Sequence, residues 1–155
     1  MAVSTTVRIS GGGKLDAIIR KAESATGKDA VEVGFFSTAR YPDGQPVAQV
    51  ALKNEFGFNP PDEPRIPARP FFRQALEAVT PELSRLMERR VDTETMVADQ
   101  RLADEVGQTV ADAVKQRIVS LREPPNAPRT IKQKGSSNPL IDTGQMRLSV
   151  TWRVR

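Results

Sequence analysis

Leu102, Val106, Val110, Ala113, Val114, Ile118 and Leu121 recur at three- and four-residue spacing without a break, the period of one face of an α-helix. With them stand Asp99, Arg101, Asp104, Gln108, Asp112, Lys115 and Arg117, a solvated face opposite the apolar one. A stripe this long needs a partner surface of similar length, so it sets the scale of the fold. In a chain of 155 residues there is room for one such core and not for two. Hydrophobic residues reach 38% but aromatics only 5%, so the core is built mainly from Val, Leu, Ile and Ala, which suits amphipathic helices.

The other elements are punctuated by Pro and Gly. Thr5 to Ser10 alternates like a strand before the Gly11-Gly12-Gly13 break, and Leu15, Ile18, Ile19 and Ala22 trace a helix toward a Gly27 cap. Ala30 to Phe36 reads as a strand, with Val31, Val33 and Phe35 on one face. Tyr41-Pro42-Asp43-Gly44 is a turn, because Pro fixes φ and Gly tolerates a positive one. Val47, Val50, Ala51 and Phe56 predict a helix over Pro46 to Phe56, stopped by Gly57. Pro60, Pro61, Pro64 and Pro67 then exclude a helix or central strand and predict an extended loop over Phe58 to Ala68.

Pro70 suits the first position of a long helix carrying Phe72, Leu76, Val79, Leu83, Leu86 and Arg90 on one face. The apolar register passes through Pro81 nearly in phase, which predicts a kink or a tight helix junction. Asp92 or Thr93 is placed to cap the helix that follows. Glu123 to Asn138, with Pro124, Pro125 and Pro128 and a polar run after them, has little to bury and reads as a long mobile loop. Leu148, Val150 and Trp152 alternate in a terminal strand over 147–154. The fold class expected is therefore α+β: residues 1–155 form one domain, a small mixed or antiparallel sheet packed by long amphipathic helices, with extended Pro-rich loops.

The composition narrows the chemistry further. The chain has no Cys and no His, which excludes disulfides, thiol catalysis, Ser-His-Asp chemistry and His-based metal sites. Gly11-Gly12-Gly13-Lys14 lacks the spacing of a phosphate-binding P-loop and reads as a connector. Asp62 and Glu63 are the one tight acidic pair in the Pro-rich loop, without the burial that would split their pKa values. The expectation is no catalytic residue, no cofactor and no metal. Residues 1–20 lack a signal-peptide pattern, and no apolar run reaches the roughly 18 residues of a membrane span. The net charge of +4 permits contact with a polyanion, but Lys and Arg are interleaved with Asp and Glu, as in a mixed solvated surface.

The Tyr41-Pro42-Asp43-Gly44 turn and three further segments, taken in order, carry a resemblance. Asn54-Glu55-Phe56-Gly57 ends a short helix, Pro67-Ala68-Arg69-Pro70-Phe71 opens a long one after a variable loop, and Pro139-Leu140-Ile141-Asp142-Thr143-Gly144-Gln145-Met146-Arg147 closes the pattern. Together they resemble the neck, or tail completion (virion morphogenesis), proteins of tailed bacteriophages. The resemblance spans about four fifths of the chain, and each motif alone is weak.

The resemblance implies a structural virion protein at the head–tail junction, assembled in the host cytoplasm. Subunits of that family form a ring, six-fold, around the DNA channel. The implied partners are copies of the chain itself, the head connector, the tail terminator or tail tube, and genomic DNA without sequence specificity; no membrane is involved. Candidate subunit or neck-partner contacts are Tyr41, Pro42, Asp43, Gly44, Glu55, Phe56, Arg65, Arg69, Phe71, Arg129, Lys132 and Lys134. Glu55 and Arg69 also fit a local ion pair between the two helices, with Phe56 and Phe71 packed below it. A DNA-binding accessory protein of phage assembly remains an alternative reading, as does, at greater distance, a small carboxylate-dependent hydrolase.

Overall fold

Two short β-branched runs from opposite ends of the chain find each other. β1 (Val31–Phe35) and β2 (Val150–Val154) pair antiparallel, with Val33 opposite Trp152 and Phe35 opposite Val150. The side-chain period of two sends Val33, Phe35, Val150 and Trp152 toward the core. The other face carries the cross-strand pair Glu32 and Arg153, whose Nη2 and Oε2 are 2.7 Å apart, and the Arg153 guanidinium also lies over the Phe36 ring. A computed structural model describes residues 31–61, 65–90 and 100–154. The strand at 5–10, the Gly11-Gly12-Gly13 connector, the helix ending at Gly27, the Asp62–Glu63 pair and the cap at Asp92 or Thr93 lie outside the described residues.

Among the described residues five helices run between the strands: α1 (Val47–Phe56), α2 (Phe71–Arg90), α3 (Gln100–Ser120), α4 (Pro128–Lys134) and α5 (Gln145–Leu148). The architecture is a small α+β fold in which α3 is the common surface, packing on α2 along one side and on both strands along the other. Its predicted stripe is the observed one: Leu102, Val110, Val114, Ile118 and Leu121 are buried. Gly107 shows how closely sheet and helix approach, since a Cβ there would sit 2.6 Å from the Trp152 ring. Trp152 thus covers α3 as a sheet-face residue, and its Nε1 donates to Gln108 Oε1. Among the described residues no helix is long and apolar enough to cross a membrane.

α2 buries Phe71, Ala75, Val79, Leu83 and Leu86, and Phe71 meets the Phe35 and Phe72 rings edge-on. The buried face is thus led by Phe71, with Phe72 and Leu76 half-buried at its margin. α2 continues through Pro81 as one helix, so the junction alternative is set aside. Pro81 is exposed, as is Glu77 one turn before it, whose carbonyl the proline ring leaves without an amide donor.

Two sequence expectations are corrected. Residues 123–138 are not one long loop. α4 occupies Pro128–Lys134, begins on Pro128 at its first turn and ends on Gly135 in the left-handed region at φ 69°. Asn126 is buried, and the Asn138 side chain accepts from the Leu140 and Ile141 amides and donates to Val119 O.

The terminal strand begins at Val150, not at 147. Gly144, at φ 81°, starts the single turn of α5, and the Ser149 hydroxyl closes it by donating to Gln145 O. Leu148 is consequently helical and 69% exposed, not a core strand residue. The Pro-rich segment is, over its described residues, a loop without regular helix or strand, as expected, and its ends pair through Phe58 N to Ile66 O and Ile66 N to Phe58 O.

Candidate functional site

Glu55 and Arg69, expected to form an ion pair, do different work. Glu55 sits on the buried side of α1, one turn after Ala51, and its two carboxylate oxygens accept from the Phe72 and Arg73 amides at 2.8 and 3.3 Å. It is therefore a cap for the first turn of α2 supplied from another helix, satisfying free N–H groups where the helix dipole favours negative charge. Arg73 Nε lies 3.7 Å from the same carboxylate, at an exposed position that screens the pair.

Arg69 is buried at 3% exposure, and among the described residues its hydrogen-bond acceptors are all neutral. Nε donates to Pro124 O at 2.8 Å, Nη1 to Asn54 Oδ1 at 3.2 Å, and Nη2 to Pro125 O at 3.2 Å and Asn126 Oδ1 at 3.0 Å. Pro carbonyls are ready acceptors because no ladder or helix competes for them. The planar guanidinium reaches all four at once, which a Lys ammonium with three donors does not. Burial lowers the Arg69 pKa from its usual value, as expected for a cation taken from water without a counter-charge. Backbone geometry sets its position: Arg69 N donates to Asn54 O, and Gly57, at φ 76°, lets residue 68 pass so close that a Cβ at 57 would lie 2.9 Å from Ala68 N. The result is a clasp fastening the end of α1, the mouth of α2 and the segment before α4.

On the neighbouring surface opens a cleft of about 290 Å³. Its walls are the Tyr41–Gln45 turn, the Val50 and Asn54 side of α1, Lys134 at the end of α4, and the Pro139–Met146 stretch. The turn is held by Gly44 N to Tyr41 O, Tyr41 N to Gln45 O and Gln45 N to Asp43 Oδ1, each at 2.9–3.0 Å. Burial, then Asp142, then Asp43 raise the Tyr41 pKa, so the phenol is a hydrogen-bond donor at neutral pH. Lys134 donates to the Asn138 and Pro139 carbonyls; burial lowers its pKa, Asp142 opposes that shift and the Arg69 charge adds to it. The cleft therefore offers an apolar floor, a phenol donor and two exposed carboxylates at its rim. Its Lys is already engaged, and the arrangement suits holding a cationic or donor-bearing group more than activating a nucleophile. Among the described residues no group of three or more acidic side chains is placed to bind a metal.

The expected contact residues thus separate. Tyr41, Asp43 and Lys134 meet in the cleft, with Pro42 and Gly44 on the exposed turn above it. Arg69 and Glu55 are internal fasteners, and Phe71 is core. Phe56, expected beneath an ion pair, is instead 61% exposed, with the Arg73 guanidinium 5.6 Å from its ring centroid. Arg65, Arg129 and Lys132 are exposed and belong to neither group. The residues that sequence reasoning missed are Asn54 and Asn126, whose amides complete the clasp, and Asp142, which charges the cleft. Asp142 stands within a quoted motif; Asn126 carries no local signal, since its partner is 57 residues away. Compared with protein-family models, curated proteins and solved structures, the chain matches none.

Proposed function

We propose that this chain is a structural protein of the tailed-bacteriophage neck, completing the tail and joining it to the head as one subunit of a ring around the DNA channel. The observation that carries the reading is the convergence of the segments on which the resemblance rests. Asn54 and Arg69 share a hydrogen bond, Glu55 caps the helix opened by Phe71, and Asn54, Leu140 and Asp142 line one cleft. Segments that scatter along the chain but meet at one joint form a single structural unit, and a match to such a unit is more specific than a match to loose motifs.

The physical character of the surface supports an assembling role over an enzymatic one. Among the described residues the cation that lines the cleft, Lys134, donates to backbone carbonyls, and the phenol beside it is in its neutral form. A ring is built from heterologous contacts, one patch meeting a different patch on the next subunit, and a small domain with an open cleft on one side suits that. The partners in this reading are other copies of the chain, the head connector, and the tail terminator or tube, with the genome passing through without sequence-specific contact.

Deleting the reading frame tests the proposal. The lysate is expected to contain DNA-filled heads and separate tails by electron microscopy; joined, infectious particles at normal yield would overturn it. Tight, steeply salt-dependent binding of the isolated protein to duplex DNA would instead favour an accessory DNA-binding role.

A further inference from the structure

α1 carries two unlike surfaces on opposite sides. Val50 and Asn54, one turn apart, line the cleft, while Leu52 and Phe56, also one turn apart, lie about 200° further round the helix at 100° per residue. Leu52, Phe56 and Phe58 are 43%, 61% and 41% exposed, so three of the exposed large apolar side chains fall within seven residues of chain. Two cations flank them: Lys53 Nζ lies 4.7 Å from the Phe58 ring centroid, and Arg73 stands over Phe56. This is a convex apolar surface with a positive margin. The cleft is its complement, concave, floored by Val50, Leu140 and Met146, and rimmed by Asp43 and Asp142.

We propose that the Leu52–Phe56–Phe58 surface of one copy of this chain seats in the Tyr41–Asp142 cleft of the next. The occupant is a second copy because the shape, polarity and charge sign of each surface are met by the other surface of the same molecule. Lys53 and Arg73 approach Asp43 and Asp142, and apolar rings cover the cleft floor. Because the two surfaces lie on opposite sides of one rigid helix, neither can satisfy the other within a single copy. The contact is therefore head-to-tail and repeats, closing into a ring where the rotation per step permits. The inference rests on the ring reading above and deepens it by naming the two patches. It also removes Arg69 and Glu55 from the subunit boundary.

The absence of Cys makes the test direct. Gln49→Cys lies on the exposed margin of the convex surface and Thr143→Cys on the cleft rim, and neither removes an apolar contact. The two variants, purified separately, are mixed and oxidised with copper phenanthroline. A second arm carries the same pair in assembled particles. Expected is covalent dimer in the mixture at least ten-fold above that from either variant alone, and a ladder of higher species from the doubly substituted chain. Phe56→Asp in the Gln49→Cys partner should abolish the product. Equal cross-linking by Gln49→Cys alone would show face-to-face association and overturn the proposal. So would a mixed product, in solution and in particles, no greater than that of Gln49→Cys with Glu88→Cys on α2. The neck reading stands or falls separately on the deletion lysate: unjoined heads and tails with no mixed product would sink this contact alone, and a strong mixed product with normal virions would sink the neck alone.

Discussion

The clasp and the cleft are neighbours built from nearly the same stretches of chain, yet one is closed and the other open. Around Arg69 every guanidinium nitrogen donates to a protein acceptor, and among the described residues no buried side-chain polar atom lacks a partner. Around Tyr41 and Asp142 the polar groups sit at a mouth that solvent reaches. A buried cation with neutral acceptors is costly to disturb and useful mainly for joining segments; an open rim of carboxylates costs little and is free to receive another group. The difference predicts that substitutions in the clasp act on stability, whereas substitutions in the cleft act on association and titration.

The largest effect is expected at Arg69. Arg69→Ala leaves Pro124 O, Pro125 O and two Asn side chains without their donor, a loss of about 3 kcal/mol or more for several buried partners. For a domain of this size that lowers Tm by roughly 6–12 °C. Arg69→Lys should recover only part of it, since an ammonium cannot reach four acceptors in the guanidinium plane. Trypsin should then cut at Arg129, Lys132 and Lys134 well before it cuts α3. A Tm unchanged within about 2 °C, on the same scale, would show that the clasp joins nothing.

Gly57→Ala probes the approach that brings Arg69 into place. The new Cβ meets backbone of the returning arm, Ala68 N at 2.9 Å and Ile66 O at 3.0 Å, and the φ of 76° is one an L side chain avoids. Neither atom is the end of a flexible side chain, so the loop must shift, at a cost of about 1–3 kcal/mol. Urea unfolding would measure it, and a neutral result would mean the loop is free to move without disturbing the clasp.

Glu55→Gln is gentler. The amide still offers one oxygen to Phe72 N or Arg73 N, but the negative charge at the start of α2 is gone, worth about 0.5–1 kcal/mol. Glu55→Ala, which removes both acceptors, should cost about 1–2 kcal/mol. Gln tolerated and Ala not would identify the carboxylate as a cap. Equal large losses in both would implicate the charge itself, at the start of α2 and beside Arg73, over the hydrogen bonds.

The regions also differ in how far the sequence announces them. The α3 stripe, β1, the Tyr41 turn and α1 were legible because helix and strand periods and Pro–Gly turns are local signals, written within a few residues of one another. Arg69 and Glu55 were legible as important, flanked as they are by aromatic and Pro residues, but not in their partners. Opposite charges suggest each other, whereas the real partners are backbone amides and carbonyls, which every residue has. α4 was illegible for a related reason. Its three prolines and polar run argue for disorder when taken alone, and what organises the segment is a guanidinium 55 residues earlier in the chain. Leu148 misled because a strict alternation through Val150 and Trp152 extends back to it, while Gly144 and Ser149 terminate the strand by turning one helical turn instead. The cleft was half visible: its Tyr41 wall stood out as a turn, but only folding shows that Asp142 faces it.

The smallest effect on stability, and the sharpest test of the cleft as an open acidic mouth, is the titration of Tyr41. It is the sole tyrosine, so phenolate absorbance reads this group without correction for any other. Burial is the larger cause of its raised pKa, with Asp142 next and Asp43 after it. The midpoint should therefore lie above 10.0, fall toward that value in Asp142→Asn, and remain above it because the ring is still partly enclosed. The sign for stability follows: a folded pKa above the unfolded one keeps the full contribution at pH values below the unfolded pKa and loses it as pH rises through the folded one. Lys134 runs the opposite way, its lowered pKa making the fold less favourable while it is charged and relieving that as pH climbs toward 10.5. Tyr41→Phe should thus leave Tm at neutral pH nearly unchanged and flatten the alkaline loss. If the wild-type midpoint falls at or below 10.0, the phenol faces bulk water, and the Asp142 and Asp43 carboxylates do not act on it as an acidic mouth would.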